Sequence, residues 1–138
     1  MIENYITTEY SLEELNSYVN EIARTDLSNC KKTSILRQMY RKYKDAYGVY
    51  KITNIKNGKI YIGSTLDNEG FLRRFKRHQS TLLKREHFNI HLQRSFNKYG
   101  EDAFVYEVIE FYYLDDNLDK TENKKALEKR EQYYMDLY

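Results

Sequence analysis

Apolar positions recur along this chain with two periods, and the switches between them mark out its elements. Residues 1 to 10 show no clear pattern. Ser11-Leu12-Glu13-Glu14 then reads as a capping box, with the Ser11 hydroxyl accepting from the N–H of residue 14 while Glu14 reaches back to the cap. Leu12, Leu15, Val19 and Ile22 follow at helical spacing, which predicts a short helix ending near Arg24. Ile35, Leu36, Met39, Tyr40 and Tyr43 predict a second helix over 28–43. The period then shortens. Two β-branched runs, 47–54 and 59–64, flank Asn57-Gly58, the dipeptide that a type I′ hairpin turn favours because both central residues need positive φ.

The polar stretch 65–70 reads as a loop. Leu72, Phe75, Leu82 and Leu83 then predict an amphipathic helix over 71–84, with Arg73, Arg74, Lys76, Arg77 and His78 on its polar side. A helix over 87–98 follows, carrying Ile90, Leu92 and Phe96, with Gly100 as its stop. Residues 103–112 alternate as a third strand, with Phe104, Tyr106, Val108 and Glu110 set against Val105, Glu107, Ile109 and Phe111. After an acidic turn at 114–117, a last helix over 120–137 turns Ala126, Leu127, Tyr134 and Leu137 inward. The economical arrangement is α+β: a three-stranded antiparallel sheet flanked by helices.

Charge changes this picture through its distribution. The 138 residues carry a net charge of only +2, yet 71–98 holds eight Lys/Arg against one acid, and 101–138 holds eleven acids against five bases. The basic segment suits either a phosphate-binding surface or a solvated helix face. The bases Lys31, Lys32, Arg37, Arg41, Lys42 and Lys44 present the same pair of readings, whereas residues 1–27 have six acids and one base and do not suit a phosphate contact. The single Cys30 excludes an intramolecular disulfide and a cysteine metal cage, which fits a reducing compartment. No run approaches the ~18 apolar residues of a membrane span and no signal peptide opens the chain, so an intracellular, soluble protein is expected.

The chemistry-bearing residues form an ordered set. Gly48-Val49-Tyr50 and Tyr61-Ile62-Gly63 lie ten residues apart; Arg74 precedes His78 by one helical turn; Glu131 sits in Lys129-Arg130-Glu131-Gln132-Tyr133-Tyr134. With Leu92-Gln93-Arg94-Ser95-Phe96-Asn97-Lys98-Tyr99-Gly100, this set resembles the GIY-YIG nuclease family, and most closely its phage and intron homing endonucleases. The resemblance spans about 47–138 and divides the chain into an N-terminal helical extension, 1–45, and a catalytic domain, 46–138. Val49 stands where isoleucine is usual, the segment before Arg74 is long, and no residue matches the asparagine the family often has beyond the glutamate helix. Homing relatives also carry a separate C-terminal DNA-binding region; either the N-terminal helical pair substitutes for it, or the chain is a catalytic module whose targeting part is missing.

The resemblance implies a metal-dependent DNA endonuclease acting on double-stranded DNA. Glu131 would be the single protein ligand of Mg²⁺ or Mn²⁺, a hard carboxylate suited to an ion that keeps most of its waters. Arg74 would bind phosphate through its planar fork. Tyr50, with Tyr61 beside it, would take a proton from the attacking water, and His78 would bind phosphate or relay a proton. Gly63, Lys76, Arg77, His87, Arg94, Asn97 and Lys98 are the expected DNA contacts. Each type also has an ordinary structural use: a strand tyrosine in a core, an exposed helix carboxylate, a solvated base. A catalytically silent DNA-binding module and a structure-selective repair nuclease remain as alternatives. His87 and His91 have a zinc-like spacing but no third ligand in place.

Overall fold

The computed structural model describes residues 9–66 and 70–138. The loop expected at 65–70 lies partly outside them. The elements run α1 (Leu12–Asn16), α2 (Val19–Arg24), α3 (Ile35–Tyr43), β1 (Gly48–Asn54), β2 (Ile60–Thr65), α4 (Phe71–Leu83), α5 (Ile90–Tyr99), β3 (Phe104–Phe111) and α6 (Lys120–Leu137). The sheet is antiparallel throughout, in the order β2-β1-β3. The α+β architecture expected from the pattern is the one found.

One face of the sheet packs against α4 and the N-terminal helices. Leu15, Val19, Ile22 and Tyr43 share a single core there with Tyr50, Ile52, Phe71, Phe75, Phe104 and Tyr106. The other face carries Val49 and Ile62, covered by Leu127 of α6. The sheet therefore lies between two helical layers, and a residue's parity on its strand decides which layer it meets.

Several local expectations are corrected. The first helix is broken at Ser17-Tyr18 into α1 and α2. Only half of the capping box forms: Ser11 Oγ accepts from the Glu14 N–H, but the Ser11 N–H donates to the Tyr43 hydroxyl. The Glu14 carboxylate accepts instead from Lys42 Nζ at 2.5 Å and Tyr43 Oη at 2.7 Å, two donors stronger than a backbone amide. The helix expected from 28 begins at Ile35, because Asp26 caps a 3-10 turn over Leu27–Asn29 and Ser34 caps α3. The α5 helix starts at Ile90, capped by the Asn89 side chain.

The hairpin connection is not a two-residue type I′ turn. Gly58 has φ +77°, Asn57 does not have positive φ, and the Gly58 N–H closes a wider turn on the Asn54 carbonyl at 2.7 Å. A β-bulge separates the Val49↔Glu110 pair from Tyr50↔Val108. It reverses the parity of β3, so Glu110 leaves the face of Phe104, Tyr106 and Val108 and accepts from Arg130 and Tyr134 of α6. Leu83 and Leu137, expected to face inward, are exposed at element ends, as is Ile90.

The outer edge of β3 is closed by side chains. Asn16 exchanges two hydrogen bonds with the backbone of Val108, and Asn20 does the same with Tyr106. Arg24 donates to the Phe104 carbonyl. Asn16, Asn20 and Arg24, spaced four apart across the break between α1 and α2, thus meet residues two apart on a strand, completing a ladder that would otherwise be open. Among the described residues, no helix is long and apolar enough to cross a membrane.

Candidate active site

Four segments converge at one end of the β1–β2 pair. Tyr50 pairs with Gly63 and Ile52 with Tyr61, so both tyrosines stand on the α4 face of the sheet. Gly63 has a packing reason to be glycine, since an added Cβ would lie 2.5 Å from the Tyr50 ring end. At the outer end of β1, a Cβ on Gly48 would meet the Glu110 carbonyl at 2.1 Å, because the bulged β3 crosses there. The motif glycines are thus close-approach positions.

Tyr50 is wholly buried, with Phe71 and Phe75 edge-on to its ring. Its hydroxyl lies 2.6 Å from His78 Nε2 and accepts from Arg74 Nε at 3.4 Å. Burial raises the phenol above its ordinary value, opposed by the hydrogen bond and charge of Arg74. Tyr61 is half-buried and raised by the same cause, again opposed by Arg74.

Glu131 comes from the opposite layer. Its Oε1 accepts from Ser64 Oγ at 3.1 Å, which is possible because Ser64 follows Gly63 and points to the α6 face. Burial raises the carboxyl, while Ser64 and Arg74 pull it down. Arg74 therefore acts electrostatically on Tyr50, Tyr61 and Glu131 together. A cleft of about 420 Å³ opens beside it, lined by Ser64, Thr65, Lys120, Lys124 and Glu128 among others. Ser64 and the two lysines were not singled out from sequence. A serine directly after Tyr-Ile-Gly was the available signal for the first.

Two histidines corrected the sequence reading most. His78, placed there on the polar side of its helix, is buried, and its imidazole is pushed down to about 3 by burial, then by His87, Arg74 and Arg77. His87, expected on DNA, is also buried. Its Nε2 lies 2.7 Å from His78 Nδ1, and its Nδ1 accepts from the Asn89 N–H at 3.0 Å. Both ring nitrogens are thus engaged, which disposes of the zinc pairing with the exposed His91. Exposed Phe88 stacks on His87 at 4.5 Å. Gln93 holds the loop by accepting from the His87 N–H and donating to the Leu82 carbonyl and Asn97.

Lys76 is corrected as well. Its ammonium donates to the Ile22 and Thr25 carbonyls at 2.9 and 2.7 Å, closing the end of α2, and burial lowers its pKa. Arg77 lines a cleft with Arg74, His78 and Phe88, while Arg94, Asn97 and Lys98 lie on the exposed side of α5. Arg37 and Arg41 donate to the Cys30 and Lys32 carbonyls, so these bases brace the loop before α3.

Among the described residues, no group of three or more His, Cys, Asp or Glu could cage a metal. The donor set around Glu131 is instead one half-buried carboxylate oriented by the Ser64 hydroxyl, and Ser64 itself lines the cleft beside Arg74. That suits a small divalent ion which keeps its waters and shares a phosphate.

Two strands that face their tyrosines across a glycine, a helix arginine beside them and a carboxylate reaching in from behind define a GIY-YIG catalytic domain. The family model of that description matches residues 46–138, and the chain belongs to this family. It is 46% identical over 63 residues to Intron-associated endonuclease 1 of Enterobacteria phage T4, covering 46% of this chain and 24% of that protein. It is 34% identical over 95 residues to Probable intron-encoded endonuclease 1 of Neurospora crassa, covering 69% of this chain and 28% of that protein. The chain thus spans about a quarter of the length of these relatives. The catalytic domain of the intron endonuclease I-TevI superposes with a TM-score of 0.54 at 34% identity, over 66% of this chain and 81% of that one.

Proposed function

We propose that the chain is a divalent-metal-dependent endonuclease of the homing type, cutting double-stranded DNA. The observation that carries this is Arg74, which donates to the Tyr50 hydroxyl, lines the cleft with Ser64 and acts by its charge on the Glu131 carboxylate. A phosphate in the adjacent cleft receives the guanidinium fork. The bond from Arg74 to Tyr50 is long at 3.4 Å, so a phosphate oxygen competes for the guanidinium and uncovers the buried phenolic oxygen. Tyr50, once deprotonated to its phenolate, then accepts a proton from the attacking water, and Arg74 stabilises charge on the phosphate oxygens. Glu131, oriented by Ser64, holds the Mg²⁺ or Mn²⁺, which when bound neutralises phosphate charge and favours departure of the 3′ oxygen. The exposed Arg94, Asn97 and Lys98, with Arg77, extend the contact along the strand.

Nicking of supercoiled plasmid in Mg²⁺ tests the reading. Wild type nicks, EDTA stops it, and Glu131→Ala falls by roughly 10²-fold or more with its DNA affinity retained. Equal residual nicking by wild type and Glu131→Ala would reject the assignment of Glu131. Binding that ignores EDTA, with no cleavage in any divalent metal, would make the chain a silent DNA-binding module.

A further inference from the structure

The donors and acceptors around the two buried histidines admit one proton arrangement. A backbone amide can only donate, so the Asn89 N–H makes His87 Nδ1 an acceptor. A neutral imidazole with an accepting Nδ1 carries its proton on Nε2, and an imidazolium has no acceptor to offer. His87 Nε2 therefore donates across 2.7 Å to His78 Nδ1. His78 in turn carries its proton on Nε2 and donates across 2.6 Å to the Tyr50 oxygen. The reverse direction, from the Tyr50 O–H into His78, would leave His87 with two accepting nitrogens and no proton, which a neutral ring cannot satisfy.

We propose that His87 is a positioning residue that, held by the Asn89 amide, locks His78 as a hydrogen-bond donor to Tyr50, so that His78 does not take the phenolic proton and instead stabilises the phenolate. This rests on the reading of Tyr50 as the proton acceptor. The Tyr50 oxygen accepts from His78 Nε2 and Arg74 Nε, and its own proton points away from both. When a phosphate draws Arg74 away and uncovers the phenolic oxygen, that proton passes to a hydroxide ion, which becomes water. The resulting phenolate, held by the His78 Nε2–H donor, takes a proton from the attacking water and is a phenol again when the new P–O bond has formed. Phe88 stacks on the His87 face, at 24° between rings, and helps hold the plane of that imidazole.

Long-range ¹H–¹⁵N correlation spectra of the full ¹⁵N-labelled chain, without metal or DNA, read the tautomers directly. At neutral pH both His78 and His87 are expected as neutral rings protonated on Nε2. An Nδ1–H tautomer or an imidazolium at either position overturns the proposal, and it does so whether or not the chain cuts DNA. In His87→Ala the lock is gone: His78 is expected to show mixed tautomers, and the nicking rate to fall roughly 10- to 100-fold with DNA affinity unchanged. His87→Gln keeps an N–H donor for His78 Nδ1 and is expected to restore the Nε2–H signature and most of the rate. If His87→Ala leaves the His78 tautomer and the rate unchanged, His87 is not the lock.

Discussion

The Tyr50 ring lies across Gly63: the two residues pair between β1 and β2, and a Cβ on Gly63 would stand 2.5 Å from both Cζ and Oη of Tyr50. The ring has little freedom to yield, since Phe71 and Phe75 hold it from one side and His78 binds its hydroxyl. Gly63→Ala is therefore expected to lower stability by about 1–3 kcal/mol through overpacking and to displace the phenolic oxygen. A shift of that kind costs nicking roughly 10²-fold. Melting curves and plasmid nicking check both. Adding Tyr50→Ala to Gly63→Ala should return the stability to that of Tyr50→Ala alone. Wild-type nicking by Gly63→Ala would show that the close approach is incidental.

The pH dependence of stability follows from His78. Its folded pKa of about 3 lies below its ordinary value of 6.5, so below pH 6.5 the unfolded chain binds the proton that the folded chain refuses. The stability contributed by keeping this ring neutral is complete above about pH 6.5 and is lost progressively as pH falls toward 3. The slope approaches about 1.4 kcal/mol per pH unit where only the unfolded state is protonated. His87, also lowered by burial, adds in the same direction. Denaturant melts between about pH 6.5 and 5 isolate this effect from the carboxylates. His78→Gln should flatten the dependence there; an unchanged slope would contradict it.

The sequence carried the fold further than it carried the orientation of side chains. Alternation placed all three strands within a residue or two, and the family resemblance singled out Tyr50, Tyr61, Arg74, His78 and Glu131, which the structure gathers at one end of the sheet. The bulge in β3 was invisible, because an extra residue changes parity without changing composition, and so Glu110 was put on the wrong face. His78 and His87 look polar in a list of residues; only their mutual contact and the Asn89 amide make burial affordable. Lys76 shows the same limit, since its partners are carbonyls at the end of a helix some fifty residues earlier. Some errors were local, as at the turn, where Asn57 caps the Lys59 N–H with its side chain instead of adopting positive φ.

The edge of β3 offers a test of what the N-terminal helices do. Asn16 and Asn20 each satisfy one backbone N–H and one C=O of a buried strand residue. Asn16→Leu or Asn20→Leu should each cost about 1–3 kcal/mol by leaving those groups without their partners. The double variant should also associate, because an unsealed edge pairs with another strand. Urea melts and light scattering against concentration measure the two effects. A double variant that associates no more than wild type and is as stable would mean that water serves this edge equally well.

Two lysines of the basic segment make opposite predictions on DNA. Lys98 is exposed, one helical turn from Arg94 on α5, with its ammonium 5.2 Å from the Tyr99 ring. Lys76 is turned inward onto the Ile22 and Thr25 carbonyls. Binding that neutralises phosphates releases counterions, and each phosphate contact adds about 0.9 to the slope of log affinity against log salt. Lys98→Ala should therefore reduce that slope by about 0.9. Lys76→Ala should leave the slope unchanged while lowering stability by about 1–3 kcal/mol, because the end of α2 loses its donor. Fluorescence anisotropy of a labelled duplex across a salt series, in Ca²⁺ to hold off cleavage, measures the slopes, and thermal melts measure the stabilities. A slope lost with Lys76 and kept with Lys98 would place the DNA on the N-terminal side of α4, against the sheet-end site.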